Sequence, residues 1–239
     1  MAERVERLAG WLEAARRRAG AEVYVVGLSG GVDSAVTAAL CRRTGAPVVG
    51  VLLPCHSRPE DERDAREVAE SLGVELVRID LAPAYDALRT ACEAALGPQP
   101  ERSLALANLK PRLRMATLYF VANARNGLVV GTGNRSELYV GYFTKYGDGG
   151  VDLLPLGGLV KSEVYELARE LALPRAVLEK PPSAGLWPGQ TDEGEMGLAY
   201  ADLDRYLLTG QARPEVAERV EAMHRRSQHK RETPPVAPA

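Results

Sequence analysis

Two hydrophobic periods alternate along the chain. Over residues 3–19, Val5, Leu8, Leu12 and Ala15 share one helical face and arginines occupy the other, which predicts an amphipathic helix. Val23-Tyr24-Val25-Val26 then reads as a short buried strand. Pro47-Val48-Val49-Gly50-Val51-Leu52-Leu53, Val74-Glu75-Leu76-Val77-Arg78-Ile79 and Leu128-Val129-Val130-Gly131-Thr132 read as three more. Between them the pattern predicts a helix after the first strand, a charged helix from Arg58 to Leu72 ended by Gly73, and a helix from Asp80 to Leu96. The break Gly97-Pro98-Gln99-Pro100 precedes a long, mostly apolar helix over 104–126, in which Pro111 marks either a kink or the true start. Helices over 160–171 and about 213–226 follow. The expected architecture is α/β: a doubly wound, mostly parallel five-stranded sheet with helices on both faces. Right-handed crossovers bring the strand C-terminal ends to one edge, where ligands bind. A single domain over 1–239 is expected, with a flexible tail from about 232.

The stretch that stands out is Gly27-Leu28-Ser29-Gly30-Gly31-Val32-Asp33-Ser34, between the first strand and its helix. A glycine-rich turn there puts free backbone N–H groups at the positive end of a helix, an anion site. Ser29 and Ser34 add hydroxyl donors. Asp33 is the odd member, because a carboxylate beside phosphate repels it unless a cation lies between them, which suggests Mg²⁺. No Gly-Lys-Ser/Thr follows, so the loop is not a Walker P-loop. It resembles the SGGxDS pyrophosphate loop of the N-type ATP pyrophosphatases.

Composition narrows the possibilities by exclusion. The formal net charge of −2 offers no case for a nucleic-acid surface. Met1-Ala2-Glu3-Arg4-Val5-Glu6-Arg7 has no signal-peptide core and no apolar run is long enough to span a membrane, so a cytoplasmic protein is expected. Cys41, Cys55 and Cys92 form no C-x-x-C pair and read as buried small hydrophobes in a reducing compartment.

The second half carries further candidates. Gly131-Thr132-Gly133-Asn134-Arg135-Ser136-Glu137 leaves the fourth strand at the same edge as the first loop. Asn134 and Glu137 have capping-box spacing, and Glu137 is also placed to be a second carboxylate for a Mg²⁺ shared with Asp33. Lys161 opens a helix, against the dipole, which means either a solvated lysine or an anion partner. The loop from Lys180 to Glu193 is rich in proline and glycine and reads as a lid or substrate loop. Gln228-His229-Lys230-Arg231, taken alone, reads as a solvated basic end.

Together with Asn108–Met115, Gly141–Asp152 and Pro182–Glu193, these stretches resemble NAD synthetase, which amidates deamido-NAD (nicotinic acid adenine dinucleotide). The resemblance runs from Ser29 to Lys230. It implies an adenine nucleotide α-hydrolase-like, Rossmann-like fold, ATP as co-substrate, Mg²⁺ as cofactor, ammonia as nitrogen donor and a homodimer centred on helix 104–126. Gly27, Leu28, Ser29, Gly30, Gly31, Val32, Asp33 and Ser34 would hold ATP, with Thr132, Lys161 and Ser183 touching it. Asp33 and Glu137 would bind Mg²⁺. Arg112, Lys145, Asp152, His229 and Lys230 would hold deamido-NAD, the last two in a tail ordered by substrate, and Asp148 would take a proton from ammonium. Pro111 departs from the small residue common before Arg112, and Ser183 stands where threonine is also common. None of the histidines, His56, His224 and His229, sits in a Cys/His nucleophile motif of the kind a glutamine-using enzyme needs. The rival readings are another ATP pyrophosphatase, tRNA-modifying or GMP-synthetase-like, and a non-catalytic nucleotide-binding module.

Overall fold

The computed structural model describes residues 1–183, 185, 187 and 189–237. Ala184, Leu186 and Pro188 of the expected lid, and the last two residues of the expected tail, lie outside the described residues. The chain opens with α1 (Ala2–Ala19), β1 (Val23–Gly27), α2 (Val32–Arg43), β2 (Val48–Leu52), α3 (Pro59–Leu72), β3 (Glu75–Arg78) and α4 (Ala82–Leu96). It continues with α5 (Leu104–Ala107), α6 (Leu109–Ala124), β4 (Gly127–Val129), α7 (Arg135–Val140) and α8 (Lys161–Glu170). Four helices follow, α9 (Arg175–Glu179), α10 (Asp192–Met196), α11 (Tyr200–Thr209) and α12 (Pro214–Arg226), and then a single 3₁₀ turn, Gln228–Lys230.

The sheet order is β3-β2-β1-β4 and every pairing is parallel, with Val25 opposite both Val49 and Val129. Alternation along the strands feeds two cores. Tyr24, Val26, Val48 and Leu52 point to the face covered by α1, α2 and α8, where Leu12, Val36, Leu40, Val164 and Leu167 are buried. Val25, Val49 and Val51 point to the opposite face, against Val121 and Ala122 of α6 and Tyr85 of α4. Each fully buried side chain of this size contributes about 1.5–3 kcal/mol. A third cluster, Val140, Met196, Leu203, Val216 and Val220, joins α7, α10, α11 and α12 beyond the sheet.

The doubly wound parallel architecture is as expected, but among the described residues the sheet has four strands rather than five. Past β4 the chain returns alongside only as an isolated bridge between Val130 and Leu153, where Gly131 N donates to Leu153 O at 2.8 Å. Pro155 has no N–H to extend that ladder, and the chain turns there. The expected helix 104–126 is broken at Asn108. Pro111 is the third residue of α6, where a missing N–H is harmless, so it marks the start of that helix and not a kink. Cys41 and Cys55 are buried as expected, whereas Cys92 is exposed, because α4 buries only Tyr85. Among the described residues no helix is long and apolar enough to cross a membrane.

Candidate active site

The Gly27–Ser34 loop leaves the C-terminal end of β1 and enters α2 through Gly31, its N-cap. Gly30 has φ +75°, and a Cβ there would stand 2.6 Å from the Asp61 carbonyl oxygen, so only glycine fits under α3. The two serines brace the turn. Ser34 Oγ donates to Gly31 O at 2.9 Å, lies 3.1 Å from Ser29 Oγ, and accepts from Ser29 N at 3.3 Å.

Two remote segments converge on Asp33, in the first turn of α2. Asn134 caps α7: its side chain accepts from Glu137 N at 3.0 Å, while Glu137 Oε2 accepts from Asn134 N at 3.2 Å. Asn134 Nδ2 also donates to Asp33 Oδ1 at 2.9 Å. The capping box therefore exists, and the other carboxylate oxygen, Glu137 Oε1, stands outside it. Lys161 is not a solvated lysine: its side chain is 4% exposed, and its Nζ lies 2.5 Å from Asp33 Oδ2 and 3.2 Å from Glu137 Oε1. Burial works against the Lys161 ammonium, but Asp33 and Glu137 outweigh it and its pKa rises. Burial lifts the Glu137 carboxyl to about 7, with Lys161 pulling it down and Asp33 pushing it further up. Tyr200 Oη lies 3.2 Å from Glu137 Oε1 and 3.1 Å from Asp192 Oδ2, and the Lys161 Nζ sits 5.0 Å from the Tyr200 ring centroid.

Asp33 Oδ2 and Glu137 Oε1 thus both face the Lys161 ammonium. That donor set also suits Mg²⁺, which takes one or two carboxylates together with substrate phosphates and water. Thr132 lies in the turn between β4 and α7. Ser183 Oγ donates to Gln190 O at 2.8 Å and lines a cavity of about 460 Å³ with Arg58, Tyr85, Lys110 and Gln190.

Of the residues expected to hold deamido-NAD, Arg112, Lys145 and His229 are linked to one another. Lys145 Nζ donates to His229 O, and Arg112, exposed, reaches Lys145 O at 3.5 Å. Asp152 accepts from Tyr119 Oη at 3.0 Å and from Val129 N at 2.8 Å. Asp148 Oδ1 accepts from Thr144 N at 2.9 Å. In the basic end Gln228 and His229 are exposed, but Lys230 and Arg231 are half-buried and paired. Lys230 Nζ donates to Gly141 O at 2.7 Å and Phe143 O at 2.6 Å, and Arg231 donates to Leu138 O, Tyr139 O and His224 O. These cations sit at the C-terminal ends of α7 and α12, where the dipole favours them.

Residues 4–234 match the family model described as NAD synthase. The chain belongs to the NAD synthase family. It is 53% identical to an NH3-dependent NAD+ synthetase of Carboxydothermus hydrogenoformans, over 98% of this chain and 96% of that relative. Among solved structures it superposes on an NMN synthetase from Francisella tularensis with TM-score 0.93 and 42% identity, over 98% and 97% of the two chains. An NH3-dependent NAD synthetase from Campylobacter jejuni gives TM-score 0.80 at 28% identity, over 99% and 98%. The family membership and the adenine nucleotide α-hydrolase-like sheet therefore agree with the reading of the sequence. Sequence reasoning saw Asn134 only as a cap and assigned no role in the site to Asp192 or Tyr200. Their signal is three-dimensional, since Asn134 and Asp33 are 101 residues apart.

Proposed function

We propose that the chain amidates deamido-NAD to NAD⁺ with ammonia, using ATP and passing through an acyl-adenylate, as a ligase of NAD biosynthesis. The observation that carries the residue roles is the Lys161 ammonium held between Asp33 and Glu137 beside the Gly27–Ser34 loop. The substrate carboxylate attacks the α-phosphate of ATP and pyrophosphate leaves. Ser29, Gly30, Gly31 and Ser34, with the loop N–H groups, bind the phosphates, and Thr132 and Ser183 touch ATP. Lys161 stabilises charge developing on the leaving pyrophosphate. Mg²⁺ held by Asp33 and Glu137 would supply Lewis-acid stabilisation of the same charge. Ammonia then attacks the mixed anhydride, giving the amide and AMP, with Asp148 the candidate acceptor of the ammonium proton. Arg112, Lys145, Asp152, His229 and Lys230 hold the dinucleotide. The Lys180–Glu193 loop excludes water from the adenylate.

We further assign the chain to the cytoplasm and to a homodimer. Leu104 and Phe120, 67% and 73% exposed, support a dimer face on α5 and α6. A second reading, amidation of the mononucleotide carboxylate, is favoured by the TM-score of 0.93 to a protein described as an NMN synthetase. The test is AMP and pyrophosphate release by the purified chain with ATP, Mg²⁺ and ammonium, with deamido-NAD and its mononucleotide counterpart as alternative acyl donors. Turnover confined to the mononucleotide would replace the dinucleotide reading, and no turnover with either would reject both.

A further inference from the structure

The helix that delivers Lys161 has no side-chain cap of its own. Val160, which precedes α8, carries no acceptor, so the first N–H groups of the helix depend on a partner from elsewhere. That partner is Asp204 of α11, only 4% exposed. Its Oδ2 accepts from Ser162 N at 2.7 Å and its Oδ1 from Lys161 N at 3.3 Å. The same Oδ1 accepts from Ser136 Oγ at 2.6 Å, and Ser136 Oγ accepts from Lys161 N at 3.1 Å. Ser136 is fully buried and immediately precedes Glu137. One carboxylate thus ties the start of α8, which carries Lys161, to the first turn of α7, which carries Glu137. The α8 dipole favours a negative charge at this point.

We propose that Asp204 is a positioning residue for adenylation, acting through Ser136 and the first turn of α8 to fix Lys161 against Asp33 and Glu137. The proposal rests on the reading of Lys161 as the group that stabilises the departing pyrophosphate. A charge that stabilises a transition state must already be in place, and a displacement of about 1 Å can cost on the order of a hundredfold in rate. Asparagine at 204 would keep the volume, remove the charge, and set an NH₂ group against the N–H or O–H donors that the carboxylate now receives.

The experiment measures pyrophosphate release by Asp204→Asn, Lys161→Ala and the double variant. Asp204→Asn should lower kcat on the order of tenfold or more while the KM for ATP stays within about threefold. In the Lys161→Ala background the same substitution should add less than about twofold, because its effect passes through Lys161. Additive losses in the double variant would mark a general structural role and overturn the proposal. A near-normal Lys161→Ala enzyme would reject the reading of Lys161 itself. A slow Lys161→Ala enzyme beside a near-normal Asp204→Asn enzyme would reject only the role of Asp204. If Asp204→Asn does not fold, Ser136→Ala replaces it, since it leaves the carboxylate on α8 and deletes only the tie to α7. A kcat within about twofold of wild type in that variant overturns the proposal.

Discussion

Replacing Lys161 with methionine tests the electrostatics of the site without opening a cavity. Methionine keeps an unbranched apolar stem and removes the ammonium with its charge and its donors. The ammonium now lies 2.5 Å from Asp33 and 3.2 Å from Glu137 in side chains that are 18% and 16% exposed. Without it two carboxylates face one another, and breaking such a buried pair costs about 3–5 kcal/mol. Part of that loss is recoverable by protonating Glu137. Its carboxyl already stands at about 7 against an ordinary value of 4.5, raised by burial, lowered by Lys161 and raised again by Asp33. Removing Lys161 removes the main force holding it down. A carboxyl whose folded-state pKa lies above its unfolded value takes up a proton on folding, so stability falls as pH rises from the unfolded pKa through the folded one. In the wild type that window runs from 4.5 to about 7, and in Lys161→Met its upper limit moves higher. The deficit of the variant should therefore grow from pH 6 to pH 8. Urea unfolding at pH 6, 7 and 8, without ATP or Mg²⁺, measures it. A deficit below about 1 kcal/mol, or one independent of pH, would refute the reasoning. Pyrophosphate release by the same variant should fall about 10²–10³-fold.

Gly30→Ala should displace the phosphate loop, because the added Cβ would stand 2.6 Å from Asp61 O and 2.9 Å from Asp64 Cβ at a φ of +75°. Calorimetry should show ATP binding lost in a folded protein, and unchanged ATP affinity would contradict the placement of the loop. Stopping the chain after Arg226 removes Lys230 and Arg231 from the carbonyls they cap on Leu138, Tyr139, Gly141, Phe143 and His224. Hydrogen bonds to charged groups contribute about 1.5–3 kcal/mol each, net of exchange with water. The truncated chain should melt several degrees lower as well as bind deamido-NAD weakly, and an unchanged Tm would show the paired end to be energetically idle. Phe120→Asp should shift the protein toward monomer by light scattering, and an unchanged dimer mass would exclude that part of α6 from the interface.

The features legible in the sequence are those whose physical cause is local. A β-branched run, a turn of Gly30 and Gly31, and a helix of small residues over 35–41 define an anion site within about twenty residues of chain. The Asn134–Glu137 box is likewise local, because capping needs only the i, i+3 spacing. Strand–helix alternation implied a parallel sheet, and right-handed crossovers placed both turns at one edge. The strand count was beyond such reasoning, because whether residues 153–155 extend a ladder depends on where Val130 lies in space and on Pro155 lacking a donor.

Only the tertiary structure decided what each charged group does. Lys161 could be solvated or paired at the start of its helix; it is paired because α2 and α7 bring Asp33 and Glu137, 128 and 24 residues away, to its ammonium. Asp204 looks like one more acidic residue on an amphipathic helix until packing buries it against two helix ends that need an acceptor. Lys230 and Arg231 read as a solvated basic end, yet the ends of α7 and α12 present carbonyl acceptors at that place. A buried polar group must find a partner, and which partner is within reach is a property of the packed elements, not of residue spacing along the chain.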